Sequence, residues 1–183
     1  MAITSSLDPR VTLRILLDEV TAILEVDAAA VLLLNPFTQT LEYSDGRGFQ
    51  AESIKHTNLK LGEGYAGQAA KERRTVYIND VANGKGFTRA RLLIKEGFVA
   101  YYGTPMIAKG RVLGVLETFH RKKLQTDDEW VEFLEALAGQ AAIAIENSQL
   151  FYNIEQSNTD LRLAYDATIE GWSRAMDLRD EET

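Results

Sequence analysis

Leu13, Leu16, Leu17, Val20, Ile23 and Leu24 recur at spacings of three and four, which predicts a helix with one buried face. Asp8-Pro9 supplies a plausible N-cap and first helical residue. The unbroken apolar run Ala28–Leu34 suits a strand covered on both faces. Asn35-Pro36 marks a turn, Thr40–Ser44 a second strand, and Asp45-Gly46-Arg47-Gly48 a second turn. Further on, Leu59-Lys60-Leu61 alternates, Gly62-Glu63-Gly64 opens a short helix over Tyr65–Glu72, and Thr75–Ile78 reads as a strand. Asn79–Thr88 reads as a loop, and Arg89–Lys95 as a helix stopped by Gly97. Val99–Ala108 and Val112–His120 form a hairpin across Lys109-Gly110.

From Thr126 the pattern is helical to the end, with no proline. Thr126-Asp-Asp-Glu129 has the form of a capping box. A helix over 126–180 would be about 80 Å long at 1.5 Å per residue, more than a domain of this size can bury. Its stripe runs through Trp130, Leu134, Leu137, Ala141, Ala144, Ser148 and Phe151 at alternating spacings of four and three. It then passes through Ile154, Asn158, Leu161, Tyr165, Thr168 and Trp172, which implies a small shift of register near Ile154. The first half is expected to pack on its own sheet. The second half has no visible partner within the chain, so a homodimer through the terminal helices is expected, with Phe151, Ile154, Leu161, Tyr165 and Trp172 at its interface.

Composition narrows the chemistry. The chain has 183 residues and no cysteine, which excludes disulfides, thiolate metal sites, cysteine nucleophiles and thioether-linked chromophores. No apolar run approaches the length of about 20 residues that a membrane span needs, and the N-terminus lacks the form of a secretory signal, so a cytoplasmic location is expected. Residues 1–125 carry 17 Lys and Arg against 13 Asp and Glu, a net of +4; residues 126–183 carry 3 against 14, a net of −11. An acidic tail repels nucleic acid and anionic lipid. It also suits a solvated helix surface.

The order helix, two strands, short helices, hairpin and long helix resembles the GAF domain family. The resemblance rests on LGEGYAGQAAKERRTVYINDV at 61–81, TPMIAKGRVLGVLETFHR at 104–121 and LQTDDEWVEFLEALAGQAAIAIENSQLF at 124–151. It implies an α+β fold, with a central antiparallel sheet flanked by helices and a long C-terminal signalling helix. The implied organisation is an N-terminal extension over 1–8, a sensor domain over 9–151, a helical linker over 152–160, and the start of an output domain over 161–183. That last stretch, LRLAYDATIEGWSRAMDLRDEET, resembles the opening helix of HD-GYP phosphohydrolase domains, which hydrolyse cyclic di-GMP at a histidine- and aspartate-lined metal centre. The match centres on Gly171-Trp172-Ser173-Arg174 and Asp177–Thr183. It implies that Glu182 lies near that metal site in an intact protein, with the ligating histidines beyond Thr183.

The family's pocket lies between sheet and short helices, and the resemblance implies that Tyr65, Phe87, Tyr101, Tyr102, Thr104, Glu117 and Phe119 contribute to its wall. Leu113, Val115, Glu117 and Phe119 share one strand face by period two. A carboxylate on such a face needs a partner, either a ligand donor or a structural bond. The aromatics serve equally as core, and Gly62-x-Gly64 is either a turn or an anion-binding helix start.

Cyclic-nucleotide-binding GAF domains carry Asn-Lys followed by Phe-x-x-x-Asp-Glu. Here the positions read His120-Arg121, then Leu124 and Asp128-Glu129, so the Asn and Phe are missing. GAF-type methionine sulfoxide reductases work through cysteine, which excludes that activity. The two histidines, His56 and His120, read as exposed or loop residues, and no nucleophile, acid–base pair or metal cluster is recognisable. No catalytic residue, metal or cofactor is therefore expected. The two resemblances imply a sensory and regulatory module that binds a small ligand or partner and controls, through a dimeric helical linker, an HD-GYP-type cyclic di-GMP phosphodiesterase; the alternative is a ligand-free dimerisation and spacer domain.

Overall fold

A computed structural model describes residues 9–84, 89–124 and 127–181, with the side chains of Pro9, Arg10 and residues 175–181 not described. Helix α1 (Pro9–Ile23) leads into strands β1 (Ala28–Asn35) and β2 (Thr40–Arg47). A 3-10 turn at Glu52–His56 and strand β3 (Asn58–Lys60) precede helix α2 (Gly64–Glu72), strand β4 (Val76–Ile78) and helix α3 (Ala90–Lys95). Strands β5 (Ala100–Ala108) and β6 (Arg111–His120) form the long hairpin, and helix α4 (Asp128–Glu181) ends the chain. The six strands lie in the order β3-β2-β1-β6-β5-β4, and every adjacent pair is antiparallel.

The β5–β6 turn follows from its two residues. Lys109 and Gly110 both have positive φ, 47° and 75°, the signature of the turn that matches strand twist in two-residue hairpins. Strand β2 runs further than its sequence pattern predicts. Asp45-Gly46-Arg47 pairs with Ala29–Val31 rather than turning, because a bulge opposite Val31 and Leu32 absorbs Ser44 and carries the ladder on to Arg47. The chain turns only at Gly48, where φ is +81°.

Alternation along the central strands divides the interior in two. Leu116 of β6, with Tyr102 and Met106 of β5, faces the large core made with α1 and α4. Val115 and Phe119 face the opposite side, toward α2, α3 and the connecting loops. Leu113 departs from the expected set. The register slips between Met106 and Ile107, so Leu113 is the extra residue of a bulge and joins the α1/α4 core, away from Val115.

Helix α4 starts one residue later than a Thr126 cap would place it. The Trp130 amide donates to Asp127 Oδ1 at 2.9 Å, so Asp127 is the cap; Thr126 lies outside the described residues. Leu134, Leu137, Ala141, Ala144, Ile145 and Ser148 are buried against the sheet and α1, while every residue of 149–174 is exposed. The exposed stripe at Ile154, Leu161, Tyr165 and Trp172 lies on the face opposite the buried one. These are two seams on two faces, not one seam with a shifted register.

Gly114 sets the distance between the two central strands. A Cβ there would stand 2.1 Å from the Leu32 carbonyl oxygen and 2.9 Å from Met106 Cε. Overpacking of this kind costs about 1–3 kcal/mol. Gly114→Ala is expected to lower the stability in urea unfolding by that amount, and an unchanged midpoint would contradict this tight approach.

Candidate functional site

The sheet face beneath α2 and α3 carries one fully buried carboxylate, Glu117, at the centre of β6. Arg89, immediately before α3, answers it with both arms of its guanidinium. Nη1 donates to Oε2 at 3.1 Å, and Nη2 makes a close hydrogen bond to Oε1. The Tyr101 hydroxyl donates to the same Oε1 at 2.8 Å. Arg89 Nη1 also reaches Thr57 Oγ1 at 3.4 Å. Tyr101 can lean along its strand to Glu117 only because the next position on that face is Gly103, where a Cβ would lie 2.4 Å from the Tyr101 oxygen.

These charges hold one another in place. Burial works against the Arg89 cation, but the charge and hydrogen bonds of Glu117 outweigh it and raise the guanidinium pKa. Burial, and then the Glu117 charge, push the Tyr101 hydroxyl well above its ordinary value, so it remains a donor.

Around this centre lies an aromatic cluster. Phe119 meets Phe49, Phe98 and Tyr101 at ring-centroid distances of 5.2, 5.3 and 5.3 Å. Tyr65 of α2 approaches Tyr101 at 6.1 Å and is only half-buried. Gly62 and Gly64 have φ of +85° and +59°, so the Gly-x-Gly segment is a turn, and Gly67 brings α2 against the Lys60 carbonyl. Nearby, the buried Glu96 carboxylate accepts from the amides of Gln50 and Ala51 and fixes the loop carrying Phe49.

Of the predicted wall, Tyr65, Tyr101, Glu117 and Phe119 come together here. Phe87 and Glu182 lie outside the described residues. Tyr102 and Thr104 are on the other side of the sheet. Tyr102 stacks on Tyr77 at 5.4 Å and meets the tilted Trp130 ring at 5.0 Å, and Thr104 joins Thr75, which donates to Glu135 of α4. Adjacent strand residues cannot share a face, so Tyr101 and Tyr102 never line one pocket. Arg89, Phe49 and Phe98 were not singled out in the sequence. The signal for Arg89 was the need of an apolar-face carboxylate for a cation.

His120 is also buried, contrary to its reading as a surface or loop residue. It sits between Tyr102 and Trp130, at 6.0 and 5.8 Å, and its Nε2 has no hydrogen-bond partner among the described residues. Burial lowers its pKa to about 4, only partly opposed by Asp27.

Among the described residues, no group of three or more His, Asp or Glu side chains is placed to hold a metal ion. No described helix is long and apolar enough to cross a membrane.

The sequence profile of the GAF domain matches residues 6–146. No curated protein matches the sequence. Several solved structures share the fold. The GAF domain of an Acinetobacter phosphoenolpyruvate-protein phosphotransferase superposes with a TM-score of 0.69 at 22% identity, covering 82% of this chain and 90% of that one. A free methionine-R-sulfoxide reductase from Neisseria meningitidis, solved with its substrate, gives 0.69 at 20% identity over 81% and 84%. A GAF domain/HD domain protein from Geobacter sulfurreducens gives 0.69 at 15% identity over 82% and 99%.

Two measurements probe the site's electrostatics. Arg89→Ala strands a buried carboxylate and is expected to cost about 3–5 kcal/mol in urea unfolding, most of it recovered by the double substitution Arg89→Met, Glu117→Leu. Additive losses would show that the pair is not coupled.

His120 is held neutral in the folded state and has an unfolded pKa of about 6.5. Its contribution is therefore complete above about pH 6.5 and is lost as the pH falls toward 4, by ~1.4 kcal/mol per unit and ~3 kcal/mol in all. His120→Phe is expected to flatten stability between pH 7 and pH 5 relative to the parent. An equal pH slope in both proteins would place the titration elsewhere.

Proposed function

The chain belongs to the GAF domain family, and on that premise we propose that it is a sensory and regulatory module. A small ligand at the Tyr65, Tyr101, Glu117, Phe119 side of the sheet biases a dimeric helix, which passes the bias to an HD-GYP-type cyclic di-GMP phosphodiesterase. The observation that carries this reading is α4. One helix is packed on the sensor over about its first six turns and then continues through 26 residues, 149–174, exposed on every side. A helix fixes side-chain angle along its length and so transmits rotation, whereas a loop does not.

The resemblance of 161–183 to the start of an HD-GYP domain supports the choice of output. The Geobacter neighbour, described as a GAF domain/HD domain protein, is a precedent for the pairing. The phosphodiesterase lies outside this chain, which acts by regulation rather than catalysis, from the cytoplasm. A ligand shifts such a helix only through its different affinities for the two arrangements.

A second reading, a ligand-free dimerisation and spacer domain, is favoured by one observation. Glu117 is already answered by Arg89 and Tyr101, and Phe119 is packed by protein rings. Native mass measurement separates the two: retained small-molecule mass supports the sensor, and a bare polypeptide mass supports the spacer.

Transmission is tested in the full-length protein. Four residues inserted after Gln156 rotate everything downstream by about 40° beyond a full turn, while seven return the seam to nearly the same face. The four-residue insertion is expected to change phosphodiesterase activity and the seven-residue insertion to preserve it. Equal activity and regulation in both would reduce α4 to a tether.

A further inference from the structure

The turn that follows β4 holds the one Asn-Gly pair of the sequence, Asn83-Gly84. Such a pair can react with itself. The glycine amide nitrogen attacks the asparagine side-chain carbonyl and closes a five-membered ring. The attack is intramolecular, so proximity removes much of its entropic barrier.

Several observations single out Asn83 among the seven asparagines. Its side chain is exposed, and glycine offers no side chain to block the approach. Among the described residues the Gly84 amide donates to no acceptor, so no hydrogen bond has to open before it reacts. Asn147, Asn153 and Asn158 lie inside α4, where the next amide is committed to a helix carbonyl. Asn35 precedes Pro36, which has no N–H. Asn58 and Asn79 precede Leu59 and Asp80, whose side chains crowd the attacking nitrogen.

We propose that Asn83 is a site of spontaneous deamidation, and that its conversion unlocks the turn beside the candidate pocket. The Gly84 nitrogen gives its proton to hydroxide and bonds to Asn83 Cγ. The Cγ–Nδ2 bond breaks, and Nδ2 leaves as ammonia with a proton from water. Water then opens the cyclic imide at either carbonyl. Opening at Cγ leaves aspartate; opening at the main-chain carbonyl leaves isoaspartate, with the chain rerouted through Cβ and Cγ. One water enters and one ammonia leaves, with no change of oxidation state. The chemistry needs no ligand, so it stands apart from the sensory reading.

The consequence runs through Asp80. Its carbonyl oxygen and Oδ1 accept from the Asn83 amide at 3.2 and 3.3 Å, and its Oδ2 accepts from Asn83 Nδ2 at 3.0 Å. That side-chain hydrogen bond is the main cause holding the Asp80 pKa below its ordinary value. Deamidation replaces the donor with a second carboxylate, and two like charges then face each other across the turn. Within the turn, Val81 is buried in the second core, with its amide on the Val99 carbonyl at 2.8 Å. Gly84 closes against the site. A Cβ there would clash with Ile78 Cδ1 and stand 3.5 Å from the Tyr65 hydroxyl. The extra main-chain carbon of isoaspartate therefore shifts the chain that packs beside Tyr65.

The test ages the whole purified chain at mildly alkaline pH. Trypsin then releases peptide 75–85, which chromatography and mass spectrometry follow. Asn83 is expected to convert before any other asparagine, within about tenfold of its rate in the free peptide, since little local opening is needed. Slower conversion than that, or earlier conversion elsewhere, would overturn the proposal. Asn83→Gln is expected to leave the peptide unchanged over the same period, because its closure needs a six-membered ring. A mass shift that persisted in this variant would assign the chemistry to Asn79 and overturn the proposal too. Asn83→Asp installs the new carboxylate directly. Its Val81 amide is expected to exchange hydrogen at least about threefold faster than in the parent, with an unchanged circular dichroism spectrum. Equal exchange in the two proteins would overturn the link between Asn83 and the pocket turn.

Discussion

A carboxylate at the centre of a sheet cannot be buried without its cation. Glu117 lies on β6, the strand between β1 and β5, and has no exposure. Leaving such a charge unpaired costs several kcal/mol, a large share of a domain's total stability. Arg89 therefore has to reach it, and Arg89 stands directly before α3. The ion pair draws α3 down onto the sheet. Leu93 then packs with Val81, Phe98 and Tyr101 in a second core that the sheet alone would not close.

The same strand serves the other side of the molecule. Glu117 and Phe119 face the short helices, while Leu116, Thr118 and His120 face α1 and α4. At its start, Arg111 donates to Glu146 of α4 at 2.9 Å, with Lys109 3.3 Å from the other carboxylate oxygen. Burial by itself raises the Glu146 pKa, and the hydrogen bonds from Arg111 and Lys109 bring it below the ordinary value. At its end, His120 packs on Trp130, in the first turn of α4. One strand thus touches the candidate pocket and both ends of the buried half of α4. A change at Glu117 has a short physical route to the helix, through a single rigid element.

Much of this was legible in the sequence because it depends on local period and turn chemistry. The helix period of Leu13 to Leu24, the Lys109-Gly110 turn and the proline-free C-terminal helix each appear where their residues predict. Three features were not legible, each for a physical reason. The bulges at Ser44 and Leu113 move residues across the sheet, and alternation counted along one strand cannot detect an extra residue without its partner strand. The family resemblance groups Tyr102 and Thr104 with Tyr101, but adjacent strand positions point opposite ways. Arg89 was one cation among many in the first 125 residues, and only the fold shows which of them reaches Glu117.

Helix α4 exposes the difference between a stripe that folds the chain and a stripe left over after folding. In sequence, both are leucine, isoleucine and aromatic residues at spacings of three and four, and they join end to end at Phe151 and Ile154. In the folded domain they separate. Leu134, Leu137, Ala141 and Ala144 are used up against the sheet, and small alanines there let the helix lie close to it. Phe133, Ile143, Leu150 and Ile154 are left facing out, with bulkier side chains than a solvated face requires. Were a second chain to cover the outward face, as the proposed dimeric helix requires, the helix would feel both surfaces: a rotation that improved packing on one would worsen or re-register it on the other, and such opposition favours two discrete arrangements over a continuum.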